Sequence, residues 1–552
     1  MTTSERVTGA PGSGEKPVRA GLLGAAAAGV VAVGLTLGVA ELLSALGRWA
    51  GVLGASSSPF VALGQTFIQF TPEWLKELAI RTFGERDKDA LTAGMGLTVL
   101  VAAVVIGLIN RSRPRVAVAL TGLLLLVAAA AVLTRPGTGW LDLVPLAVGG
   151  VLGMAFLIAV ARTGLAPAAP ADDADDADGA DPATSGGDAS AGPTGPTGRR
   201  RFLMLMGGGA LLAVAAGGLA RLIPSAAQVA QSRGRVTVPP PADGQNLDVD
   251  GTVLDVAGLT PFVTPNADFY RVDTAYAVPA LTTDGWQLRV HGAVDREITL
   301  GFEDLLAMPA VERMITLTCV SNEVGGKLAG NARWQGIRLA DVLSMAGPQA
   351  GADCVLSTSA DGFTVTTPLA ALTDGRDALL AYAMNGEPLP VEHGFPVRMV
   401  VPGLYGYVSA TKWVVDLEVT RFADVTAYWT DRGWSAQAPI KTASRIDVPA
   451  GFARLPAGTV AVAGVAWAQH RGISAVQVQI DDGPWQDATL SGELTADIWR
   501  QWSFAWPATE PGLHTIRCRA IDADGTVQTD QIQGVMPDGS TGLDSRQVTV
   551  TA

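Results

Sequence analysis

The chain is poor in the residues that build metal and redox sites. Among 552 residues it has three cysteines, Cys319, Cys354 and Cys518, and four histidines, all of them in the C-terminal half. Three cysteines can form neither a disulfide framework nor a four-cysteine zinc or iron–sulfur site. No Cys-x-x-Cys-His motif occurs, and no histidine falls in a long apolar run. The sequence therefore predicts no haem and no iron–sulfur cluster.

Charged residues are also scarce. They make up 16% of the chain, against ~25% in typical soluble domains, and the mean hydropathy is +0.29. The net charge of −13 argues against a nucleic-acid partner, because such proteins carry basic surfaces. At ~150 residues per domain, the length suggests three to four units. A single soluble globule and a fully disordered chain are both excluded.

Long apolar runs dominate the N-terminal third. Each approaches or exceeds the ~18 residues that a helix needs to cross the hydrocarbon layer. Buried helices of a soluble protein are the alternative, but the runs contain too few charges for it. We predict a four-helix transmembrane domain at residues 1–163 and a fifth transmembrane helix at residues 199–223. The runs themselves are residues 21–46, 91–109, 116–133, 140–161 and 202–220.

Basic residues flank these runs on alternate sides. Arg111, Arg113 and Arg115 lie between the second and third runs, and Arg162 follows the fourth. Lysine and arginine stay on the cytoplasmic side of a membrane. An N-terminus in the cytoplasm satisfies this rule and leaves the chain outside after about residue 222. The sequence thus predicts a multi-pass protein of the cell membrane with an extracytoplasmic C-terminal part.

An acidic segment separates the fourth and fifth runs. Residues 164–198 have no aromatic residue and no apolar periodicity, so we predict a disordered linker there. The next residues, Arg199-Arg200-Arg201-Phe202-Leu203, resemble the twin-arginine export signal. That resemblance implies export of a protein already folded around a cofactor. The alternative is an ordinary basic flank of a membrane helix.

The exported part has two compositions. Residues 250–430 mix strand and helix patterns, which predicts an α+β domain. From about residue 440 the helical patterns stop, and short strands alternate with Asp-Gly turns. We therefore predict an immunoglobulin-like β-sandwich at residues 440–552. In the first region we predict strands at 286–290, 314–317, 397–401 and 413–419 and helices at 300–306 and 338–346; in the second, strands at 459–467, 475–480, 502–506, 515–521 and 546–550.

Three clusters in the α+β region carry possible chemistry. Cys319 ends a predicted strand and opens a polar, glycine-rich loop. Its thiol can be a small buried hydrophobe, a metal ligand, or a nucleophile with His393 or His291 as its base. Residues 393–398 and 403–413 combine glycines and hydroxyls with Arg398 and Lys412. Such clusters suit an anionic cofactor, although a structural turn with solvated cations has the same pattern.

Several segments, taken in order, resemble the sulfite oxidase family of molybdenum enzymes. The resemblance covers about residues 255–550. In the C-terminal part, residues 464–467 and 478–485 look like the dimerisation domain of that family, which implies a homodimer. The segments of the α+β region are residues 262–266 with 269–271, 317–319, 332–336, 361–363, 381–386 with 389–390, 393–398 and 412–413.

The resemblance implies a mononuclear molybdenum held by a molybdopterin dithiolene and one cysteine thiolate, with Cys319 at the ligand position. It implies oxygen-atom transfer in which molybdenum cycles between the VI and IV states. Arg271 also matches a cation that approaches an oxyanion substrate. Electrons would leave through a separate carrier, a cytochrome or the quinone pool. The positions that match pterin contacts are Phe269, Tyr270, Arg271, Asp361, His393, Arg398, Ser409 and Lys412.

Two departures from the family pattern bear on the substrate. Family members that act on sulfite or nitrate carry an arginine pair where this chain has Glu323-Val324, and Asp273 stands where sulfite oxidases have histidine. A glutamate facing the pocket would repel a dianion by about 1 to 4 kcal/mol at ~4 Å, whereas one turned to solvent would not. A small oxyanion, a neutral sulfoxide or other S- or N-oxide, and a cofactor-free binding role for the same fold all stay open.

Overall fold

The computed structural model describes residues 16–50, 52–53, 57–72, 75, 82, 87–135, 138–163, 196–222, 225–244 and 253–552. The chain divides into two compact units, Met1–Ser225 and Ala226–Ala552. Residues 164–195 of the predicted linker lie outside the described residues. The last three residues of that linker, 196–198, belong to a helix.

The first unit is built from helices. Five of them are long and apolar enough to cross a membrane, by length and composition, and they coincide with the five predicted runs. A shorter apolar helix, Pro59–Phe70, lies in the segment between the first two. A short 3-10 turn at Trp140–Leu143 directly precedes the fourth long helix. The long helices are Lys16–Trp49, Asp87–Ser112, Pro114–Leu133, Val144–Ala161 and Pro196–Leu222.

Small residues allow close packing around the first helix. A Cβ atom added to Gly29 would lie 1.9 Å from the carbonyl oxygen of Ala103, and one added to Gly107 would lie 2.2 Å from that of Ala25. Backbones approach this closely only where side chains are absent, as is common between membrane helices. The Nδ2 group of Asn110, in the same helix as Gly107, donates a hydrogen bond to the Leu157 carbonyl at 3.0 Å and links that helix to Val144–Ala161.

The α+β part of the second unit contains two sheets. Their strands are β1 Asp243–Gly244, β2 Gln287–Gly292, β3 Ile298–Gly301, β4 Val311–Thr318, β5 Ala329–Arg338, β6 Cys354–Ser359, β7 Thr364–Pro368, β8 Leu379–Met384, β9 Glu387–Pro388, β10 Arg398–Val400 and β11 Val414–Thr420. One sheet has the strand order β1-β4-β5-β8-β10, with β9 beside β8, and the other has the order β3-β2-β11-β6-β7. The strands predicted at residues 286–290, 314–317, 397–401 and 413–419 are confirmed as β2, β4, β10 and β11.

Helices accompany these strands. The helix predicted at residues 338–346 is confirmed, and Gly347 ends it with a left-handed φ of 73°, which favours glycine. The helix predicted at residues 300–306 is shorter, because its first residues belong to β3. The helices of this unit are Ser225–Arg235, Phe302–Leu306, Leu339–Ala346 and Leu369–Thr373. The boundary between the two units falls after Ser225, the first residue of the first of these helices.

The first of these sheets is buried on both faces. In the antiparallel pair of β4 and β5, Met314 lies opposite Arg333 and Thr318 lies opposite Ala329. Met314 packs in the core shared with the second sheet, whereas Ile315 packs in a second cluster around Trp334. Two buried faces explain why the successive residues Met314 and Ile315 of β4 are both apolar. They also fix the register of β4, and thus the point where the strand ends at Thr318, directly before Cys319.

The C-terminal region is rich in β-structure. Its strands are β12 Ala443–Val448, β13 Arg454–Pro456, β14 Gly458–Trp467, β15 Ile473–Ile480, β16 Gln486–Asp487, β17 Thr489–Leu490, β18 Arg500–Ala508, β19 Gly512–Asp522 and β20 Ser545–Thr551. They form two sheets with the orders β12-β14-β18-β17 and β13-β20-β19-β15-β16. One core holds Val462 and Trp502 from the first sheet with Val476, Ile516 and Val548 from the second. The predicted strands are confirmed, while immunoglobulin-like topology and dimerisation stay predictions.

Candidate cofactor site

A cavity of about 130 Å³ lies at the end of β4. Its wall contains the Cys319 thiol, the cations Arg398 and Lys412, and the carboxyl groups of Asp273 and Asp361. Phe269 and Tyr270, from the segment before β2, complete this side of the wall and stack on each other with ring centroids 5.1 Å apart. Six of the nine site residues predicted from the sequence therefore line one cavity.

Cys319 is held in place by a tight turn. Its backbone N–H donates to the Leu328 carbonyl at 2.9 Å, and its own carbonyl accepts from the Asn322 N–H at 3.1 Å. The Asn322 side chain closes the loop by accepting from the Leu328 N–H at 2.8 Å. Burial raises the pKa of the Cys319 thiol, against the opposing effects of hydrogen bonds from Ser321 and the charge of Lys412. The nearby cation therefore favours the thiolate that a metal requires.

Arg398 is a buried cation without an anionic partner among the described residues. Its side chain donates only to carbonyl oxygens, including that of His393 at 3.1 Å, and its guanidinium lies 5.0 Å from the centre of the Trp334 ring. Burial lowers the pKa of Arg398 to about 10, so it stays charged at neutral pH. A buried charge of this kind is stabilised by an anion that binds in the cavity.

Gly394 allows the two cationic segments to lie close together. Its φ is 116°, and a Cβ atom there would lie 3.0 Å from Cβ of Arg398 and 3.3 Å from Cα of Lys412. Any other residue would be strained in its backbone and crowded by both neighbours. The glycine that the sequence shows directly after His393 is thus part of the site's construction.

Lys412 forms an ion pair in the wall of the cavity. Its Nζ lies 3.1 Å from Oδ2 of Asp273, which also accepts from Nε of Arg271 at 2.9 Å. Burial lowers the pKa of Lys412 to about 8; Asp273 opposes this shift, and Arg398 adds to it. Asp273, the departure noted in the sequence, therefore bridges two predicted cofactor contacts.

Asp361 supplies a second carboxyl group. Its Oδ1 accepts from the Phe363 N–H at 3.1 Å, and its residue is 6% exposed. Burial raises the pKa of Asp361, and the charge of Asp273 adds to this effect, although hydrogen bonds from Ser359 and Phe363 oppose it. A carboxyl group here can accept hydrogen bonds from the N–H groups of a heterocyclic ligand.

Arg271, His393 and Ser409 do not line the cavity wall. Nε2 of His393 donates to the Asn266 carbonyl at 3.2 Å, and burial, together with Arg398 and Lys412, lowers the pKa of His393 to about 4. The Ser409 hydroxyl is directed to the Leu404 and Tyr405 carbonyls, each at 3.0 Å. As cofactor contacts, these three residues stay predictions.

Part of the cavity wall is aromatic, which the sequence did not predict. Trp434 lines the cavity with Tyr407 and Trp429, and its ring centroid lies 5.8 Å from that of Tyr407 and 5.9 Å from that of Trp429. The Tyr407 hydroxyl donates to the Ser435 carbonyl at 2.6 Å and fixes this arrangement. The only signal in the sequence is two tryptophans five positions apart after the last strand of the α+β region.

Glu323 lies away from this cavity. It is exposed and lines a separate, smaller cavity of about 30 Å³ with Val324 and Tyr405. Of the two alternatives drawn from the sequence, the one with a glutamate facing the pocket is wrong. The repulsion expected from that carboxylate does not apply at the Cys319 cavity.

The wall fits a cofactor that brings its own metal ligands. Among the described residues, no cluster of three or more His, Cys, Asp or Glu side chains could hold a metal ion. The protein thus offers one soft sulfur at Cys319, and a molybdenum cofactor would bring the remaining sulfur donors. Arg398 and Lys412 suit its phosphate, and Asp361 suits its pterin N–H groups. Fold and site together suit a class of protein that binds an anionic metal cofactor through a single thiolate.

Comparison with known proteins agrees with this class. Residues 275–429 match the family model described as the oxidoreductase molybdopterin binding domain. The chain is 32% identical to mitochondrial sulfite oxidase of Rattus norvegicus over 322 residues, which cover 49% of this chain and 58% of that protein. It is 38% identical to the uncharacterized oxidoreductase YuiH of Bacillus subtilis over 149 residues, which cover 27% of this chain and 72% of that protein.

A solved structure also resembles the chain. The sulfane dehydrogenase SoxCD of Paracoccus pantotrophus aligns with a TM-score of 0.47 at 22% identity, over 52% of this chain and 82% of that chain. The chain spans little more than half the length of the mammalian sulfite oxidases that it matches. It belongs to the sulfite oxidase family of molybdopterin-dependent oxidoreductases.

Proposed function

We propose that this protein is a membrane-anchored, extracytoplasmic molybdenum oxidoreductase that catalyses oxygen-atom transfer of the sulfite oxidase type. The observation that carries the proposal is the placement of the Cys319 thiol in one cavity with the buried cations Arg398 and Lys412. A binding module would need neither a thiol nor two buried charges at this place. When bound, the cofactor supplies two-electron oxygen-atom transfer.

The residues of the chain would bind and orient rather than perform the redox step. Cys319 would hold the metal, Arg398 and Lys412 the phosphate of the pterin, and Asp361 its N–H groups. Arg271 lies at the edge of this group, with a side chain that is 42% exposed. It is therefore the cation that we assign to an incoming oxyanion. The reaction would convert sulfite and water to sulfate, two protons and two electrons.

A second substrate class is favoured by the aromatic wall. Phe363, Tyr407 and the two tryptophans suit an apolar substituent, and Lys412 and Arg271 already share Asp273 as a counter-charge. Both features suit a neutral sulfoxide or other S- or N-oxide better than a dianion. A sulfoxide, two protons and two electrons would then give a thioether and water.

The anchoring and location rest on the first unit. Five candidate spans and the basic residues beside them support a cytoplasmic N-terminus and an exported second unit. The two electrons would pass to or from a separate carrier, a cytochrome or the quinone pool, since the sequence predicts no haem and no iron–sulfur cluster. We also expect a homodimer through the β-rich region, which light scattering on the detergent-solubilised chain would test.

The decisive experiment is molybdenum per polypeptide in the full chain, produced in a host that makes the cofactor. We expect close to one metal in the wild type, almost none in Cys319→Ser, and the wild-type amount in Cys354→Ala, whose thiol is buried in β6. Equal metal in wild type and Cys319→Ser would overturn the proposal. Parallel assays with sulfite and methyl phenyl sulfoxide then separate the two substrate classes.

A further inference from the structure

The strand that ends directly before Cys319, β4, is paired unequally along its two edges. On one side, β4 pairs with β5 along its whole length. On the other side, β1 reaches only Val311 and Glu312, so the end of the strand has no strand partner there among the described residues. An unpaired backbone edge needs other partners when it is buried, and Thr316 and Thr318 are each 1% exposed.

The β-rich region supplies those partners. The Thr316 N–H donates to the Asp497 carbonyl at 2.9 Å, and the Trp499 N–H donates to the Thr316 hydroxyl at 2.8 Å. The Gln469 side chain completes the set, because its Nε2 donates to the Thr316 carbonyl at 3.1 Å and to the Thr318 hydroxyl oxygen at 2.9 Å. Gln469 follows β14 closely, so the C-terminal region reaches the residue directly before Cys319.

The geometry of Gln469 is fully determined by these contacts. The Thr316 carbonyl can only accept a hydrogen bond, so the amide nitrogen must face it. The residue is 0% exposed, and its Oε1 has no hydrogen-bond partner among the described residues. A buried polar atom without a partner is unfavourable, and an apolar side chain of equal length would avoid it. The amide is therefore better explained by what its nitrogen does than by packing.

The same region also holds the loop after Cys319. The Ser540 hydroxyl donates to the Asn322 carbonyl at 2.7 Å, and Nη1 of Arg445 donates to the Gly326 carbonyl at 2.8 Å. Arg445 is fixed in turn by Asp447 at 2.8 Å. Contacts from one region thus restrain the chain on both sides of the thiol.

We propose that Gln469 is a positioning residue that fixes the end of β4 and so directs the Cys319 thiol into the cavity. The inference rests on the proposed role of Cys319 as the metal ligand. It gives the β-rich region a part in building the metal site. Gln469 is not part of the cavity wall, and it acts through Thr316 and Thr318.

The test uses Gln469→Met, which keeps the length of the side chain and removes the amide. In the cofactor-free full chain, we expect iodoacetamide to alkylate Cys319 about threefold faster or more than in wild type. Cys354 and Cys518, both 0% exposed, are internal controls that should stay unreactive. The exposed Gln531→Met is the matched control and should alkylate like wild type.

In the cofactor-loaded full chain, the Mo(V) electron paramagnetic resonance signal of Gln469→Met should differ from wild type at equal metal content. With whichever of sulfite and methyl phenyl sulfoxide the wild type converts, we also expect kcat of Gln469→Met to fall severalfold with little change in KM. Wild-type alkylation and an unchanged signal would overturn the inference. Faster reaction of all three cysteines would mean that the variant has lost its fold, and a second variant then decides the test.

A second variant, Thr318→Val, tests the same inference if Gln469→Met does not fold. Thr318→Val removes the acceptor oxygen with almost no change in shape, and it should speed alkylation of Cys319 in the same direction. Where both variants fold, the double variant should add little to Gln469→Met, because the hydrogen bond that Thr318→Val removes is one of the two that Gln469→Met removes. Absence of molybdenum in all chains would refute the proposed function, whereas the alkylation result decides on Gln469 independently.

Discussion

Lys412 and Asp273 form an ion pair that is almost wholly buried. Nζ and Oδ2 lie 3.1 Å apart, and the two side chains are 11% and 6% exposed. Asp273 also pairs with Arg271 at 2.9 Å. One carboxylate therefore offsets two cations at the edge of the cavity, and it limits how strongly the site attracts a further anion.

Removal of this carboxylate should make the cavity a better anion site. We expect Asp273→Asn to raise the affinity of the cofactor-free protein for sulfate about threefold to tenfold, because two cations lose their counter-charge. Isothermal titration at slightly acidic pH, where Lys412 is charged, measures this directly. Asp268→Asn, an exposed carboxylate nearby in the chain, is the control and should leave the affinity unchanged. A weaker affinity in Asp273→Asn would show that the carboxylate organises the two cations rather than offsetting them.

Anion binding at this site should depend on pH. Burial lowers the pKa of Lys412 to about 8, so the side chain loses its charge as the pH rises through that value. Sulfate affinity of the cofactor-free protein should therefore fall across this range, since sulfate itself does not titrate there. In Lys412→Arg the fall should disappear, because an arginine stays charged throughout. The same pH dependence in both proteins would assign the effect to another group.

Parts of the site follow from local sequence. The apolar strand at residues 314–317 and the helix closed by Gly347 were predictable because periodicity and glycine conformation are local properties. The placement of Cys319 at the end of a strand follows from the first of these. Six predicted residues line one cavity because they lie on loops and strand ends that the two sheets bring together.

Other parts depend on contacts between distant segments. Glu323 is four positions after Cys319, yet the Asn322 side chain and Ser540 fold the loop so that Glu323 faces another cavity. Trp434 reaches the wall only because a short turn, Thr430–Arg432, brings it onto Tyr407. No spacing in the sequence encodes either arrangement. The role of Gln469 is equally hidden, because Thr318, its partner, is 151 positions away.

The twin-arginine resemblance and the ordinary basic flank can be separated by a substitution that keeps the charge. We expect Arg199→Lys combined with Arg200→Lys to retain the second unit in the cytoplasm, because lysines preserve the positive flank but not the arginine pair. Protease added outside spheroplasts would then leave the C-terminal region intact. Arg111→Lys with Arg113→Lys is the control and should be exported normally. Normal export of the Arg199/Arg200 double variant would establish the ordinary basic flank.

A final prediction concerns acid stability of the β-rich region. Asp522 at the end of β19 is 1% exposed. Its carboxylate accepts from the Thr442 hydroxyl at 2.9 Å, the Thr526 N–H at 2.8 Å and Nε of Arg471 at 3.2 Å. Burial alone would raise the pKa of Asp522, but these three donors together hold it below the usual value. The ionised carboxylate therefore stabilises the fold.

Because the pKa is lower in the folded state, this stabilisation is complete above the unfolded value of ~3.9 and disappears as the pH falls through the folded value. Asp522→Asn should lower the free energy of unfolding by about 1 to 3 kcal/mol at neutral pH, and the difference from wild type should shrink in acid. Urea unfolding of the full chain in detergent, followed by tryptophan fluorescence, measures both effects. The exposed Asp524→Asn should stay within about 0.5 kcal/mol of wild type. A loss in Asp522→Asn that persists unchanged below the folded pKa would assign the effect to packing instead of charge.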